Sequence, residues 1–171
     1  MRPHQPIVRP QDGWLLRPLR PGDLGWVIAS HGAIYHQDYG WDGSFEVLVA
    51  EIGAGIVKNF NPTCEAAWIA ELDGMPVGSV FLIRVNDEVA KLRLLIVDPA
   101  ARGLGIGVRL VAECTRFARA AGYRRITLWT HSILLAARRI YAEEGYRLVG
   151  TEKLHDFGQE LISETWELEL G

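Results

Sequence analysis

The sequence shows no strong excess of charge, few cysteines and no long apolar run. Its 171 residues include 18 Lys and Arg against 21 Asp and Glu, a formal charge of -3, so it lacks the basic footprint of a non-specific nucleic-acid binder. No apolar stretch approaches the roughly 18 residues of a membrane span. The first residues (MRPHQP) are not followed by the apolar segment of a secretion signal. We therefore expect no nucleic-acid partner and no membrane association.

The cysteine and histidine patterns argue against a metal or disulfide framework. Cys64 and Cys114 lie far apart and form no CxxC pair. This excludes a disulfide scaffold and a cysteine zinc site and fits a reducing compartment, so we expect a cytoplasmic protein without a metal. His31 and His36 would lie nearly opposite each other on a helix and do not form a metal pair either.

The composition, 49% hydrophobic and 23% charged, is that of an ordinary folded core, and the length fits one domain of about 150 residues. Residues 1–13 contain three prolines by Pro10 and are interpreted as an N-terminal arm, loose or held against the fold. Residues 14–171 contain no repeat, low-complexity tract or linker, which predicts a single domain.

Hydrophobic periodicity predicts alternating strands and helices. An edge strand at Trp14–Arg20 precedes two helices, the first capped by Asp23. An antiparallel meander of three strands follows, then a long helix ended by Gly122, a strand, a short helix and a closing pair of strands. The predicted ranges are Leu24–Tyr39 and Phe45–Phe60 for the first helices, Ala66–Leu72, Val77–Val85 and Val89–Val97 for the meander, and Arg125–Trp129, Leu134–Glu144, Tyr146–Thr151 and Leu161–Leu170 thereafter.

Three glycines at alternate positions, Gly103, Gly105 and Gly107, stand where the long helix should begin. Each costs about 0.5–1 kcal/mol of helix stability relative to alanine. The first turn of a helix leaves amide donors unpaired at the positive end of its dipole, and glycine lets a phosphate approach them. Arg102 adds a positive charge. We predict a phosphate-binding turn; the alternative is a turn that only lets helix and strand pack closely.

The turn matches neither of two common nucleotide-binding motifs. The Walker motif requires Lys and Ser/Thr where this chain has Val108 and Arg109. The Rossmann motif would place its third glycine at Val108, and its strand would open a βαβ repeat instead of closing a meander. A nucleotide stays an alternative ligand.

The sequence resembles the Gcn5-related N-acetyltransferases (the GNAT superfamily) in two motifs. Residues 102–107 (RGLGIG) match the R/Q-x-x-G-x-G/A signature, after a strand that leaves through the V-x-P sequence of residues 97–99. Residues 137–146 (ARRIYAEEGY) resemble the second signature, A-x-x-x-Y-x-x-x-G-F/Y. The order of elements agrees from about Trp14 to Leu170. The closest-looking branch is the acetyltransferase half of proteins fused to MarR-type winged-helix regulators, here without the DNA-binding half.

The resemblance implies one N-acetyltransferase domain with a mixed α/β fold. A mostly antiparallel sheet would contain splayed parallel fourth and fifth strands and be flanked by about four helices. Acetyl-CoA, the co-substrate, would lie between these strands, its pyrophosphate on the amides after Pro99 and its pantetheine arm along the fourth strand. The implied cofactor-binding residues are Leu95, Ile96, Val97, Arg102, Gly103, Leu104, Gly105, Ile106, Gly107 and Val108.

The resemblance also implies direct attack of a primary amine on the acetyl group. The amide of Val97 would polarise the thioester carbonyl. Tyr141 would protonate the departing thiolate, whose pKa is about 8.5; in the alternative, Tyr141 is only a core aromatic. The acceptor would be a small or amino-acid-like amine, or a peptide, and a homodimer is left open.

Several aromatic residues precede the meander, and the resemblance places the early helices at the acceptor site. Aromatic faces attract cations, so some of them would face the amine, whereas Tyr35 and Phe45 are expected in the core. The group comprises Trp26, Tyr35, His36, Tyr39, Trp41 and Phe45.

Two departures from the family pattern leave roles open. Where the family often has an Asn that contacts CoA, this chain has His131 and Ser132, which either replace it or serve the structure. The strand Val89–Val97 carries no carboxylate, so no general base is identified. One hypothesis is a water relay to Glu65, Glu71 or His31. These departures motivate a second hypothesis, a CoA-binding sensor with little turnover.

Overall fold

The computed structural model describes residues 5–10 and 13–171. Seven strands and four α-helices follow one another in these ranges, with a short 3₁₀ turn at Pro99–Ala101. In chain order they are β1 (Trp14–Pro18), α1 (Asp23–Tyr39), α2 (Gly43–Lys58), β2 (Ala66–Leu72), β3 (Met75–Arg84), β4 (Val89–Val97), α3 (Ile106–Ala121), β5 (Arg125–His131), α4 (Leu135–Glu144), β6 (Arg147–Asp156) and β7 (Gln159–Glu169).

All seven strands form one sheet in the order β1-β2-β3-β4-β5-β7-β6. Neighbouring strands are antiparallel except β4 and β5, which are parallel. The mixed α/β fold, the meander and the parallel pair are therefore confirmed. No helix within the described residues is long and apolar enough to cross a membrane.

The central strands are buried on both faces. Trp68 and Val80 belong to the core under α3, whereas Ile69 and Phe81 belong to the core under α1 and α2. Because successive strand residues point to opposite faces, this double burial explains why these strands are nearly continuous apolar runs.

The described part of the N-terminal arm, residues 5–10, lies against the sheet. Val8 and Leu16 exchange backbone hydrogen bonds of 2.9 and 2.8 Å. The Gln5 side chain donates to the Ala67 carbonyl. The rest of the predicted arm, apart from Gly13, falls at positions 1–4 and 11–12, outside the described residues.

The last two strands are longer than predicted. They meet in a tight turn at Phe157 and Gly158, with φ of +56° and +80°. Phe157 is buried beside Trp41. The prediction ended the first of these strands early because residues 147–153 are exposed, so that no apolar alternation marks the strand.

The expectation that Asp23 caps the first helix is wrong. Gly22 is the N-cap, and no side chain hydrogen bonds to it. The Asp23 carboxylate instead accepts from the Arg17 guanidinium at 2.7 and 3.0 Å and from the Arg20 amide at 2.6 Å. Burial raises the pKa of Asp23, but these hydrogen bonds outweigh burial and hold it below the usual value. A buried ion pair thus ties β1 to the start of α1.

A β-bulge separates β4 from its parallel neighbour. β4 pairs with β5 only from Val89 to Leu92. Opposite β3 the register then shifts, and Leu94 takes a φ of +54°, which is strained for a branched side chain. The buried Ser79 hydroxyl donates to the Leu94 carbonyl at 2.8 Å. The splayed strands that the resemblance implied therefore arise from a specific, hydrogen-bonded bulge.

Removal of the Asp23 carboxylate should destabilise the protein far more than removal of an exposed carboxylate. Asp23→Ala leaves the guanidinium of Arg17, which is 4% exposed, with Glu71 as its one ionic partner in the described part of the chain, and we expect a loss of about 3 kcal/mol. Urea unfolding measures this loss. The control Asp87→Ala removes an exposed partner of Arg84 and should cost less than about 1 kcal/mol. Equal losses would contradict the assignment.

Ser79→Ala should destabilise the protein by about 1–2 kcal/mol because it removes the hydroxyl that donates to the Leu94 carbonyl at the bulge. Ser163→Ala is the matched control, since this buried hydroxyl donates to the Glu152 carbonyl over a weaker 3.4 Å. Thermal unfolding compares the two variants. If Ser79→Ala loses no more stability than Ser163→Ala, the hydroxyl does not hold the bulge.

Candidate active site

A cleft of about 540 Å³ opens where β4 and β5 separate. We call it the glycine cleft. Its lining comes from the end of β4, the turn before α3, and side chains of α1 and α4. The lining includes every implied cofactor-binding residue except Leu104: Leu95, Ile96, Val97, Arg102, Gly103, Gly105, Ile106, Gly107 and Val108.

The backbone of Val97 points into the cleft. The amide of the next residue, Asp98, donates across to the Val77 carbonyl of β3 at 2.7 Å. Since residues of an antiparallel strand alternate between pointing to and away from a neighbour, Val97 and Leu95 turn their amides and carbonyls away from β3. That is the side from which β5 has diverged. The cleft thus presents an unpaired strand edge.

The turn before α3 carries a row of free amide donors. Gly103 and Gly105 have φ of +82° and +78°, and apart from their chain neighbours no described residue has an atom within 4 Å of where a Cβ would stand. The N-cap Gly105 has no side-chain partner. No amide from Gly103 to Val108 donates a hydrogen bond to any residue that the structure describes. These donors lie at the positive end of the α3 dipole.

The third glycine has a different role. A Cβ on Gly107 would lie 2.9 Å from the Ile140 Cδ1 and 3.6 Å from a Val97 methyl. Gly107 therefore lets α3, α4 and β4 approach one another. Both interpretations of the glycines therefore apply, each at different positions. Gly103 and Gly105 belong to the turn with free amides, and Gly107 allows close packing.

Positive side chains stand at the rim of the glycine cleft. The Arg102 guanidinium forms a 3.0 Å ion pair with Asp38 of α1, and Arg139 of α4 also lines the cleft. The Arg102 amide donates to the Pro99 carbonyl at 3.3 Å, so the free amides begin at Gly103.

A second, smaller cavity of about 100 Å³ adjoins the cleft, and the two share Tyr35, Leu95, Leu134 and Ala137 as walls. We call it the basic pocket, because Lys91 and Arg93 of β4 line it and no Asp or Glu among the described residues does. Its other walls are a mixture of aliphatic and aromatic side chains, and seven of them carry rings, Tyr35 among them. They include His31, Trp41, Phe45, Trp129, His131 and Tyr141.

Tyr141, the predicted general acid, is both a core residue and a wall of the basic pocket, so its position fits both the acid role and the core role. It is 5% exposed and packs in the core, with its ring 5.7 Å from that of Tyr146. It also lines the basic pocket. Burial raises the pKa of its phenol, with smaller contributions from Tyr35 and Cys114. A phenol with a raised pKa is fully protonated at neutral pH.

Of the residues named as possible bases, only His31 reaches the site. Its Nδ1 lies 2.8 Å from the Val27 carbonyl, and burial lowers its pKa to about 4, so it is neutral at pH 7. The Glu65 carboxylate accepts from the Asn61 and Arg84 amides, and Glu71 pairs with Arg17. Neither glutamate lines the glycine cleft or the basic pocket.

His131, which stands near the usual Asn, is buried and lines the basic pocket. Its ring packs edge-on against Trp129 at 4.5 Å and Trp41 at 5.0 Å, and its Nε2 has no hydrogen-bond partner among the described residues. Burial lowers the pKa of His131, although Asp156 and Glu164 act in the opposite direction. His131 is therefore both a buried, packed side chain and a wall of the basic pocket.

The aromatic residues before the meander lie in different parts of the structure. Tyr35 and Phe45 form a cluster with Trp41, as the core interpretation expected, but all three also line the basic pocket. Tyr39 lines the glycine cleft. Trp26 of α1 packs against the core under α1 and α2, and the exposed His36 has its Nδ1 2.9 Å from the Trp41 carbonyl.

Sequence reasoning missed Lys91, Arg93 and Arg139 as site residues. The alternation of β4 signals the first two, since Lys91 and Arg93 are charged residues two apart in an otherwise apolar strand. No group of three His, Cys, Asp or Glu within the described ranges is placed to hold a metal ion.

Comparison with known proteins agrees with this geometry. Residues 31–146 match the acetyltransferase (GNAT) family. An N-acetylaspartate synthetase from Danio rerio is 35% identical over 103 residues, which are 60% of this chain and 36% of that protein. The chain thus leaves most of that relative's length unmatched.

Solved structures share the fold. A ribosomal-protein-alanine N-acetyltransferase from Brucella melitensis matches with a TM-score of 0.73 and 21% identity, over 91% of this chain and 99% of that one. A spermidine N-acetyltransferase from Vibrio cholerae, in complex with CoA and spermine, matches with a TM-score of 0.71 and 19% identity, over 94% of this chain and 97% of that one. Because the family match spans more than half of its residues, the chain belongs to the acetyltransferase (GNAT) family.

Proposed function

We propose that this protein transfers the acetyl group of acetyl-CoA to the primary amine of a small, amino-acid-like acceptor. The observation that carries the proposal is the row of free amides from Gly103 to Val108, at the end of a cleft that meets a second pocket. The solved neighbour with bound CoA supports the co-substrate. The relative named N-acetylaspartate synthetase supports an amino-acid-like acceptor.

The residues of the glycine cleft fit coenzyme A along its length. The free amides and the helix dipole suit a diphosphate, and Arg102 and Arg139 add positive charge at the rim. The open edge at Leu95 and Val97 suits the amides of a pantetheine arm, which would pair as an added strand does. When bound, acetyl-CoA supplies an activated thioester next to the basic pocket.

In the proposed reaction the acceptor nitrogen forms a bond to the acetyl carbon, and the carbon–sulfur bond breaks. The Val97 amide donates to the thioester oxygen, on which negative charge develops. Tyr141 gives its proton to the departing thiolate, which leaves as the thiol. The nitrogen loses a proton as it becomes an amide, and this proton restores the Tyr141 phenol. The products are an N-acetyl amide and CoA.

The acceptor must also lose a proton, because an ammonium group has no free electron pair. No carboxylate among the described residues lines the basic pocket, whereas two neutral imidazoles, His31 and His131, do. We propose that one of them takes this proton, directly or through water. Because burial lowers their pKa values, both imidazoles are neutral at pH 7, and a neutral imidazole has one ring nitrogen that can accept a proton.

The alternative function is a CoA-binding sensor with little turnover. Both hypotheses require cofactor binding, but only the enzyme releases thiol when an amine is added. A cytoplasmic location, a homodimer and the branch of MarR-fused proteins stay predictions.

Gly105→Ala should weaken binding of CoA about tenfold or more. An alanine at φ of +78° is strained by about 1–2 kcal/mol, and relief of that strain moves the amides. Gly74→Ala is the matched control, since Gly74 has φ of +77° and equally open surroundings in the β2–β3 turn. Calorimetry with CoA should find wild-type affinity in the control. Equal affinity in both variants would remove the turn from the binding site.

Tyr141→Phe should lower kcat about 100-fold and leave the Kd of acetyl-CoA nearly unchanged, because only the proton donor is lost. Thiol release is measured with the best acceptor from a panel of amines, amino acids and peptides. Tyr146→Phe is the control, a buried tyrosine that lines neither cavity.

Two outcomes would count against this assignment. A loss of kcat in Tyr35→Phe but not in Tyr141→Phe would transfer the acid role to Tyr35, which lines both cavities. Absence of thiol release with every acceptor, despite tight CoA binding, would favour the sensor.

A further inference from the structure

Two basic side chains enter the basic pocket from β4. Lys91 and Arg93 are two residues apart and so share a face of the strand. Their neighbours Ala90 and Leu92 belong to the core under α3, which places both cations on the opposite face, toward α1 and α2. Both are partly buried.

Neither cation has an ionic partner among the residues that the structure describes. The Arg93 Nε is buried and donates no hydrogen bond to any of these residues. No carboxylate lies within 4.0 Å of either side chain in the described ranges, in contrast to Arg17 and Arg138, which pair with Asp23 and Glu164 at 2.7 and 2.8 Å. An arginine buried this far is normally paired.

The surroundings do not neutralise the two charges. Burial, and then the charge of Arg93, lower the pKa of Lys91, and burial lowers the pKa of Arg93. Arg93 also borders a shallow groove with Glu51 and Glu65, but the Glu65 carboxylate accepts from two backbone amides, at 2.8 and 2.9 Å. Two like charges thus face a small aromatic cavity without a counterion.

We propose that Lys91 and Arg93 bind a carboxylate of the acceptor, which makes the preferred acceptor an acidic amino acid. The guanidinium offers a planar pair of donors and the ammonium a compact charge, and a carboxylate satisfies both. The proposal rests on the proposed function, because it takes the basic pocket as the acceptor site.

The dimensions and position of the pocket agree with such an acceptor. Its volume of about 100 Å³ suits a small molecule. The cations line it on β4, Leu95 lines it where it meets the glycine cleft, and Tyr141 forms another of its walls. A molecule with a carboxylate at one end and an amine at the other would place its amine near the thioester. The aromatic and aliphatic walls offer a medium of lower dielectric constant than water, which strengthens an ionic contact.

The first test compares acceptors of equal shape and different charge. Thiol release from acetyl-CoA is measured with aspartate, asparagine, glutamate, glutamine and spermidine. We expect kcat/KM for an acid to exceed that for its amide at least about tenfold, the equivalent of one charge-assisted contact. A preference for the amides or for spermidine would overturn this inference and leave the acetyltransferase proposal intact.

The second test uses variants that remove the charge and keep the aliphatic stem. Arg93→Met and Lys91→Met should each raise KM for the acid about tenfold or more, with little change in kcat or in the Kd of acetyl-CoA. Arg93→Lys should restore part of the loss. The control Lys153→Met removes an exposed charge of β6 and should behave as wild type. A fall in kcat with unchanged KM would indicate a structural effect and contradict the assignment.

A binding measurement tests the carboxylate site even if the protein shows no turnover. Calorimetry with aspartate and with glutamate is carried out on the CoA complex of the wild type and of Arg93→Met. Binding of either acid to the wild type, weakened in the variant, supports the carboxylate site and survives a failure of the enzyme proposal. Absence of binding of both acids to the wild-type complex overturns the inference.

Discussion

The separation of β4 from β5 is the constraint on which the rest of the site depends. Parallel pairing ends at Leu92, and the bulge at Leu94, held by Ser79, turns the end of β4 away. A continuous parallel pair would use the backbone groups of Leu95 and Val97 in the sheet. The bulge instead leaves them free and opens both cavities, so one local distortion creates the cleft, its strand edge and its junction with the basic pocket.

Local stability is reduced at the beginning of α3 as well as at the bulge of β4. A helix usually begins with a side-chain cap, but here Gly105 occupies that position and leaves the first amides unpaired. Violations of local rules are expected at functional sites, where a ligand completes what the chain leaves open. The bulge and the uncapped helix meet at the same cleft, which is why we interpret both as features of one binding site.

The fold was largely predictable from the sequence, because its strongest signals are local. The doubly buried strands and the helix end at Gly122 each follow from residue type, and the left-handed φ of +89° at Gly122 confirms the second. The misses have physical causes. β6 is exposed and shows no alternation. Asp23, expected to cap α1, instead forms an ion pair with Arg17 of β1.

The candidate site was only partly predictable. A sequence motif indicated the free amides because they depend on consecutive residues. The basic pocket depends instead on which face of β4 carries Lys91 and Arg93 and on where the bulge lies, neither of which can be obtained from a single strand. For the same reason Tyr35, assigned to the core, also forms the wall between the two cavities.

The central claim is that the free amides of the turn before α3 bind the diphosphate of coenzyme A. An amide-resolved NMR titration with CoA tests this claim most directly. The account predicts that the largest shifts, and new protection from hydrogen exchange, occur at Gly103, Gly105 and their neighbours through Val108. Saturable binding of CoA that leaves these amides unshifted and unprotected would contradict it.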